Sequence, residues 1–395
     1  MSSVQIKKVE TAKDLKTFIE FHYDLYEGNP YDVPNLYSDD FNTLSKKRNA
    51  AFDFCEAEYF LALKDGKVAG RVAAIINHKA NDTWKQKDVR FGWIDFIDDL
   101  EVSTALLKAV EDYGKEKGME HIVGPLGFTD MDPEGMLTWG FDRLGTMATI
   151  YNYPYYPQHM EKLGGWEKDN DYVEYLIKVP DRVPEKLTKL SEMIEKRYNL
   201  HVKKLTKKDI FQDGYGKRLF KLINDTYKNI YGFSELSDRQ IDQYINMYFP
   251  FADLDLITVI EDGNKNNAIA GMGITIPSLS RALQKCRRGR LLPFGWWHIL
   301  RAIKYSKTEG VDLLLLGFLP EYRTKGANAL LFNDLIPRYV ERGFKWGESQ
   351  VEMESNSGVQ SQWSMFDTEN HKKRRCYRKT LSTTSSHSEQ KGKAV

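Results

Sequence analysis

The chain has few cysteines, no bias of charge and no long apolar run, and each lack removes a class of protein. Cys55, Cys286 and Cys376 are the three cysteines among 395 residues. They are odd in number and never spaced Cys-x-x-Cys, which argues against a disulfide framework or a zinc finger and for a reducing cytoplasm. Lysine and arginine total 57 against 56 aspartate and glutamate residues, a formal net charge of +1. Such a balance creates no global field for nucleic acid. No stretch approaches the roughly 18 apolar residues that span a bilayer, and Met1 to Glu10 is too polar for a signal peptide. His78, His121, His159 and His298 do not fall at metal-ligand spacings, so no metal is expected. No Ser–His–Asp order is legible either, so a covalent nucleophile is not expected. Ser382 to Val395 is rich in Ser, Thr, Lys and Gln without apolar periodicity and reads as a disordered tail.

What is present concentrates between Val311 and Phe344. Leu313 to Leu316 is an unbroken apolar run and reads as a fully buried strand. After Pro320 a polar turn, Glu321-Tyr322-Arg323-Thr324-Lys325-Gly326, leads into Leu330, Leu331, Leu335, Ile336, Tyr339 and Val340 at helical spacing. The turn therefore lies at a helix N-terminus, where free N–H groups and the helix dipole favour an anion. Arg323 and Lys325 add positive charge, and Gly326 permits close approach of a ligand to the backbone. The pattern is a phosphate cradle and lacks the Gly-x-x-x-x-Gly-Lys of a P-loop.

The element order is legible twice. Val4 to Val9 reads as a strand, Leu15 to Leu25 as a helix, and Glu58 to Leu63 with Val68 to Ile76 as a hairpin about Asp65-Gly66. Strand Val89 to Ile97, helix Val102 to Lys117 and a strand from His121 follow. The second series has strand Val202 to Leu205, helix Arg218 to Tyr231, a hairpin over Leu256 to Ile276, the cradle, and a strand from Trp346 to Glu354. Glu185 to Tyr198 reads as a connecting helix. This alternation predicts an α/β (α+β) protein of two tandem domains, 1–180 and 181–381, each a mixed central sheet flanked by helices. In the first series the turn corresponding to the cradle is Asp98-Asp99-Leu100-Glu101, whose carboxylates suit a helix N-cap and repel phosphate.

Strand, Arg-x-x-Gly-x-small, helix resembles the pyrophosphate-binding motif of the GNAT acyltransferases, with Asn328 where that family has Gly or Ala. The resemblance covers residues 5 to 380 and is similar to a bacterial tandem GNAT-like group through Gly124-Pro125, Gly140-Phe141-Asp142, Tyr231-Gly232-Phe233 and Leu291 to Trp296. It implies acyl-CoA or acetyl-CoA as co-substrate, held by Phe318, Leu319, Arg323, Thr324, Lys325, Gly326, Ala327, Asn328 and Ala329. It also implies N-acylation of an amine, with long-chain amines and bacterial ceramide synthesis among the activities of relatives.

Acyl transfer to an amine needs a base, and the strand after the cradle helix carries the candidates. Alternation along Gly347 to Asn356 places Glu348, Gln350, Glu352, Glu354 and Asn356 on one face, where crowded carboxylates raise one another's pKa. Glu354 and Asn356 lead as catalytic candidates because they end the strand, followed by Glu352 and Glu348. The same face also reads as an acidic surface paired with Lys372, Lys373, Arg374 and Arg375. The family's acid, a Tyr after this strand, is missing between Ser355 and Met365; Tyr377 is the nearest phenol and reads equally as a core aromatic.

Three further segments stand out. Thr129 to Gly135 is an acidic loop suited to a cationic amine or to a solvated turn. Tyr151 to Pro157 is aromatic enough to line a groove or to pack domains together. Cys286 to Lys304 joins basic residues to Trp296, Trp297 and an amphipathic helix, which suits the inner membrane surface or ordinary packing on the sheet. The expected partner is a small-molecule or lipid-like amine, with no nucleic acid. Two other classes remain open on sequence: a catalytically inactive CoA-binding or protein-interaction module, and a Fem-like aminoacyl-tRNA-dependent transferase with the same paired fold.

Overall fold

A computed structural model describes residues 3–305 and 308–381; the tail expected to be disordered lies outside them. The first half runs through β1 (Gln5–Lys8), the helix Ala12–Leu25, β2 (Cys55–Lys64), β3 (Lys67–Asn77), β4 (Asp88–Phe96) and the helix Leu100–Glu116. It continues with β5 (His121–Gly124), β6 (Met136–Trp139), the helix Tyr155–Leu163 and β7 (Glu167–Lys178). The second half has the helix Glu185–Tyr198, β8 (Leu200–Lys203), the helices Tyr215–Tyr227 and Asp238–Tyr248, β9 (Ile257–Asp262) and β10 (Ala268–Pro277). Then come β11 (Gly310–Phe318), the helix Asn328–Glu341, β12 (Trp346–Ser349), β13 (Glu352–Met353) and β14 (Thr368–Thr380).

Local chemistry sets these limits. Asp65 and Gly66 both take left-handed φ, +51° and +74°, which is the hairpin conformation that an Asp-Gly pair favours. Thr11 with Asp14, Thr206 with Asp209 and Ser237 with Gln240 form capping boxes that fix three helix starts. The helix Leu100–Glu116 buries Val102, Leu106, Leu107 and Val110 on one face of the first-half sheet, and Ala12–Leu25 covers the other with Phe18 and Ile19. The helix Asn328–Glu341 does the same for the second half through Leu330, Leu331, Leu335 and Ile336. The opposite face lies under Leu219, Ile223, Ile241 and Ile245.

Among the described residues the strands form one sheet in the order β1-β2-β3-β4-β5-β14-β7-β12-β11-β10-β9-β8, with β6 and β13 attached to β14 and β7. The halves exchange their last strands. β7 lies beside β12 of the second half, and β14, from the C-terminal end, lies between β5 and β7. A division at residue 180 thus separates the two copies in sequence but does not divide the sheet.

The exchange is fastened by charge with almost no access to water. Glu174 on β7 meets Arg374 Nε and Lys372 Nζ on β14, the latter at 2.9 Å, and Lys372 also pairs with Glu348 on β12. Burial works against the Glu174 carboxylate, yet Arg374 and Lys372 outweigh it and hold its pKa down at about 2. Replacing one member strands the others, a loss that costs about 3–5 kcal/mol for a buried pair. Glu174→Gln should therefore lower unfolding free energy by about that amount at pH 7, measured by denaturant titration. Because the folded pKa lies below the unfolded value of about 4.3, the contribution is complete above that value and fades as pH falls toward about 2. The gap between wild type and variant should close over that window; equal stability at pH 7 would show that the triad contributes nothing.

Candidate active site

β11 and β12 part company midway. They pair in parallel from Gly310 with Trp346 to Leu313 with Ser349, while β11 remains paired to β10 as far as Phe318. Beyond Leu313 the β12 side of β11 is a fork with no strand in it. The chain leaves β12 at Gln350 and Val351 and returns as β13 against β7. Leu313 to Leu316, expected to be fully buried, are only half-buried, and from Leu314 onward no strand lies on the β12 side. A bulge at Leu314, between the pairs Ile274–Leu315 and Thr275–Leu313, turns the backbone within the fork. The Tyr227 hydroxyl, at the end of Tyr215–Tyr227, donates to Leu316 O at 3.2 Å.

The cradle closes one end of the fork. Gly326 has φ +75°, and the N–H groups of Ala327 and Asn328 donate to no carbonyl of the described residues. Ala327, the N-cap, and Ala329 are fully buried, so small side chains let the turn seat on the core. Phe318 is buried, and Leu319 N–H donates to Ala270 O at 3.0 Å, which sets the strand end before the turn. Tyr322 donates to Asp262 at 2.6 Å and pins the turn to β9. Thr324 and Arg323 are exposed; Lys325 lies over the rings of Tyr198 and Tyr322. Arg323 differs from a simple anion ligand: its Nε donates to Phe318 O at 2.8 Å and its Nη2 to Thr226 O at 2.9 Å. It ties the cradle to the fork and leaves Nη1 for a ligand.

The carboxylates do not share one face. Glu348 pairs with Leu176 and Glu352 with Val173, and these partners are an odd number of residues apart on β7, so the two glutamates point to opposite sides. Glu348 is buried with Lys372 and His371. Glu354 is half exposed, 3.9 Å from Lys168. Asn356 caps the short helix Ser357–Gln360 by accepting from Val359 N–H. Glu352 differs from all of these. Its Oε1 accepts from Trp363 Nε1 at 2.9 Å, its Oε2 is buried without a partner, and burial raises its pKa to about 7. Tyr227, whose phenol burial pushes up to about 12, is close enough to feel the charges of both Glu352 and Arg323. No spacing in the sequence pointed to Tyr227, which is separated from the cradle by the helix Asp238–Tyr248, the whole hairpin and β11. Tyr377 is a buried member of the first-half core.

The first half repeats the fork without the cradle. β4 pairs with β5 only from Asp88 to Arg90, and a bulge follows at Trp93, which has φ +45°. The cleft beyond encloses about 700 Å³ open to solvent, with His22 between Asp32 and Asp95 on its wall. Burial opposes the His22 cation, but the two carboxylates raise its pKa to about 10, so it is no base at neutral pH. The helix N-terminus that would hold phosphate is filled from within: Asp99 accepts from Glu101 and Val102 N–H and pairs with Lys64. Beside it stands a Ser–His–Asp arrangement that sequence order did not disclose, Ser103 to His159 at 2.9 Å and His159 to Asp98 at 3.0 Å. Ser103 is fully buried and inaccessible to substrate, so the trio tethers two helices.

The acidic loop meets the second half, Asp130 accepting from Ser234 N–H and Arg90 donating to Gly232 O. Burial raises Asp132 to about 6. Tyr153 stacks on Tyr155 and meets Tyr151 edge-on within the first half. Among the described residues no group of His, Cys, Asp and Glu could hold a metal, and no helix is long and apolar enough to cross a membrane.

One continuous sheet with a fork in each half and exchanged strands between the halves defines a protein of tandem GNAT fold. The chain aligns with a tandem GNAT protein from the clavulanic acid biosynthesis pathway at TM-score 0.54 and 10% identity, covering 96% of this chain and 99% of that one. It also aligns with the GCN5-related glucosamine N-acetyltransferase region of a fungal multi-domain GH3 β-N-acetylglucosaminidase at TM-score 0.53 and 13% identity, covering 96% of this chain and 38% of that one. In sequence it is similar to the bacterial ceramide synthase of Caulobacter vibrioides, 26% identical over 343 residues and 84% of each chain. Protein YghO of Escherichia coli is 26% identical over 375 residues, 93% of each. No protein-family profile matches the chain.

The cradle can be tested directly. Gly326→Val forces a β-branched side chain into a left-handed φ and should abolish CoA binding in calorimetry, and Arg323→Glu should do the same by placing a carboxylate beside the anion. Unchanged affinity in both variants would remove the cradle from the site.

Proposed function

We propose that the protein is an N-acyltransferase that moves an acyl group from acyl-CoA to an amine by direct attack, with the thioester in the β11–β12 fork. The observation that carries this reading is Glu352, a carboxyl with one buried oxygen free and a pKa raised to about 7, close enough to affect Tyr227, whose hydroxyl donates to Leu316 O of β11. A base with that pKa exchanges protons readily at neutral pH. The N–H groups of Ala327 and Asn328, Lys325 and the remaining Arg323 nitrogen hold the pyrophosphate. As the N–C bond forms and the C–S bond breaks, Glu352 takes the amine proton, directly or through one water, and Tyr227 turns its O–H from Leu316 O to the departing thiolate sulfur. Glu348 is withheld from this role by Lys372, and Glu354 by its solvation.

The half-buried leucines of β11 give the fork an apolar wall, which suits a long acyl chain or a lipid-like amine over acetyl transfer to a polar one. Similarity to a bacterial ceramide synthase supports the same choice. A second reading, a CoA-binding module without turnover, draws on one observation, the commitment of Arg323 to two carbonyls.

Glu352→Gln keeps shape and hydrogen bonding but cannot accept a proton, so turnover of long-chain acyl-CoA with an amine, followed by mass spectrometry, should fall by about 10²–10⁴-fold. CoA affinity should be nearly unchanged, and raising pH should partly restore the rate because more of the amine is already neutral. Glu354→Gln should stay near wild type. Full activity of Glu352→Gln would exclude this base; CoA binding without any N-acyl product from wild type would favour the second reading.

A further inference from the structure

The connection from β10 to β11, residues 278–309, has no counterpart in the first half, where 78–87 joins β3 to β4. Between Arg281 and Lys304 it holds seven basic residues and no acidic one, in a chain whose formal net charge is only +1. Arg288 and Arg290 fasten it to the first half through Asp24 and Glu20 of the helix Ala12–Leu25. Arg287, Arg301 and Lys304 meet no carboxylate among the described residues and remain exposed. The helix Gly295–Lys304 buries Gly295 and Ala302 fully and Ile299, Leu300 and Ile303 by half, and leaves both tryptophans outside. The bulky residues before it and in its first turn are exposed: Leu292 by 77%, Phe294 by 72%, Trp296 by 47% and Trp297 by 42%. Trp297, Arg301 and Lys304 follow one another along a single outward stripe.

From this we infer that Leu291–Tyr305 is a membrane-docking element that seats the protein on an anionic bilayer surface. Large apolar side chains that stand exposed and consecutive are costly in water and mark an interaction site. Tryptophan and tyrosine favour the headgroup region, where an apolar ring and a polar edge are both satisfied. The unpaired basic residues along the same stripe match anionic headgroups. A second copy of this chain is a poor occupant, because a two-fold interface would set this basic patch against itself. The inference stands apart from acyl transfer, since docking requires no turnover.

The test is co-sedimentation of the full chain with vesicles of phosphatidylcholine alone and of phosphatidylcholine with phosphatidylglycerol. The protein should bind the anionic vesicles, bind neutral ones far more weakly, and lose affinity as salt is raised. Arg301→Gln with Lys304→Gln should lower affinity by about a factor of five for each charge removed. Phe294→Ser with Trp297→Ser should abolish binding while the denaturation midpoint and CoA affinity stay at wild type. Absence of binding to anionic vesicles, or equal binding by wild type and the Phe294→Ser, Trp297→Ser variant, would overturn the inference. A wild-type dimer in sedimentation that this variant dissociates would also overturn it and assign the face to a second copy.

Discussion

Glu174 sits between Arg374 and Lys372 where neither half of the chain alone could satisfy it. β7 ends the first half and β14 ends the second, and each is paired into the strands of the other copy. A buried carboxylate facing two cations specifies that register, because a slip of one residue would turn Lys372 and Arg374 to the opposite face from Glu174 and leave all three buried charges unpaired. Lys372 extends the network to Glu348 on β12, so the charge that joins the halves also fixes the strand beside the fork. The site thereby depends on an interaction that contains none of its proposed reacting groups.

Both halves keep a fork and a bulge, but only the second keeps a free helix N-terminus. In the first, Asp99 caps its own helix and Lys64 neutralises it. In the second, buried Ala327 caps with no side chain, which leaves backbone donors for an anion. The difference between an open helix N-terminus and a filled one is therefore a capping carboxylate at one position. The cleft of the first half persists around His22, whose charge is fixed by Asp32 and Asp95.

Much of the fold was legible because its signals are local. The Asp65-Gly66 turn, the capping of the helices and the apolar stripe of Asn328–Glu341 each follow from a few neighbouring residues, and the cradle with them. Strand exchange was not legible, since nothing within Glu167–Lys178 states that its neighbours will be β12 and β14. The carboxylate face failed for a related reason. Strict alternation holds only while a strand is continuous, and the break at Gln350 and Val351 reverses the face of Glu352 relative to Glu348. Glu352, Glu354 and Glu348 are alike as letters. What distinguishes them is Lys372, Trp363 and solvent, contacts that only the folded chain supplies. Tyr227 was invisible for the same reason, since its position is set by packing across the sheet.

Hydrogen–deuterium exchange of the full chain with and without a long-chain acyl-CoA tests the central claim most directly, because it locates the thioester and its pyrophosphate on the backbone. The account predicts slowed exchange at Leu319 to Leu330 and at Ser349 to Met353, with the Ile97 to Ser103 turn of the first half unchanged. Protection at that first-half turn, or an acyl-CoA that binds without protecting the second-half cradle, would contradict it.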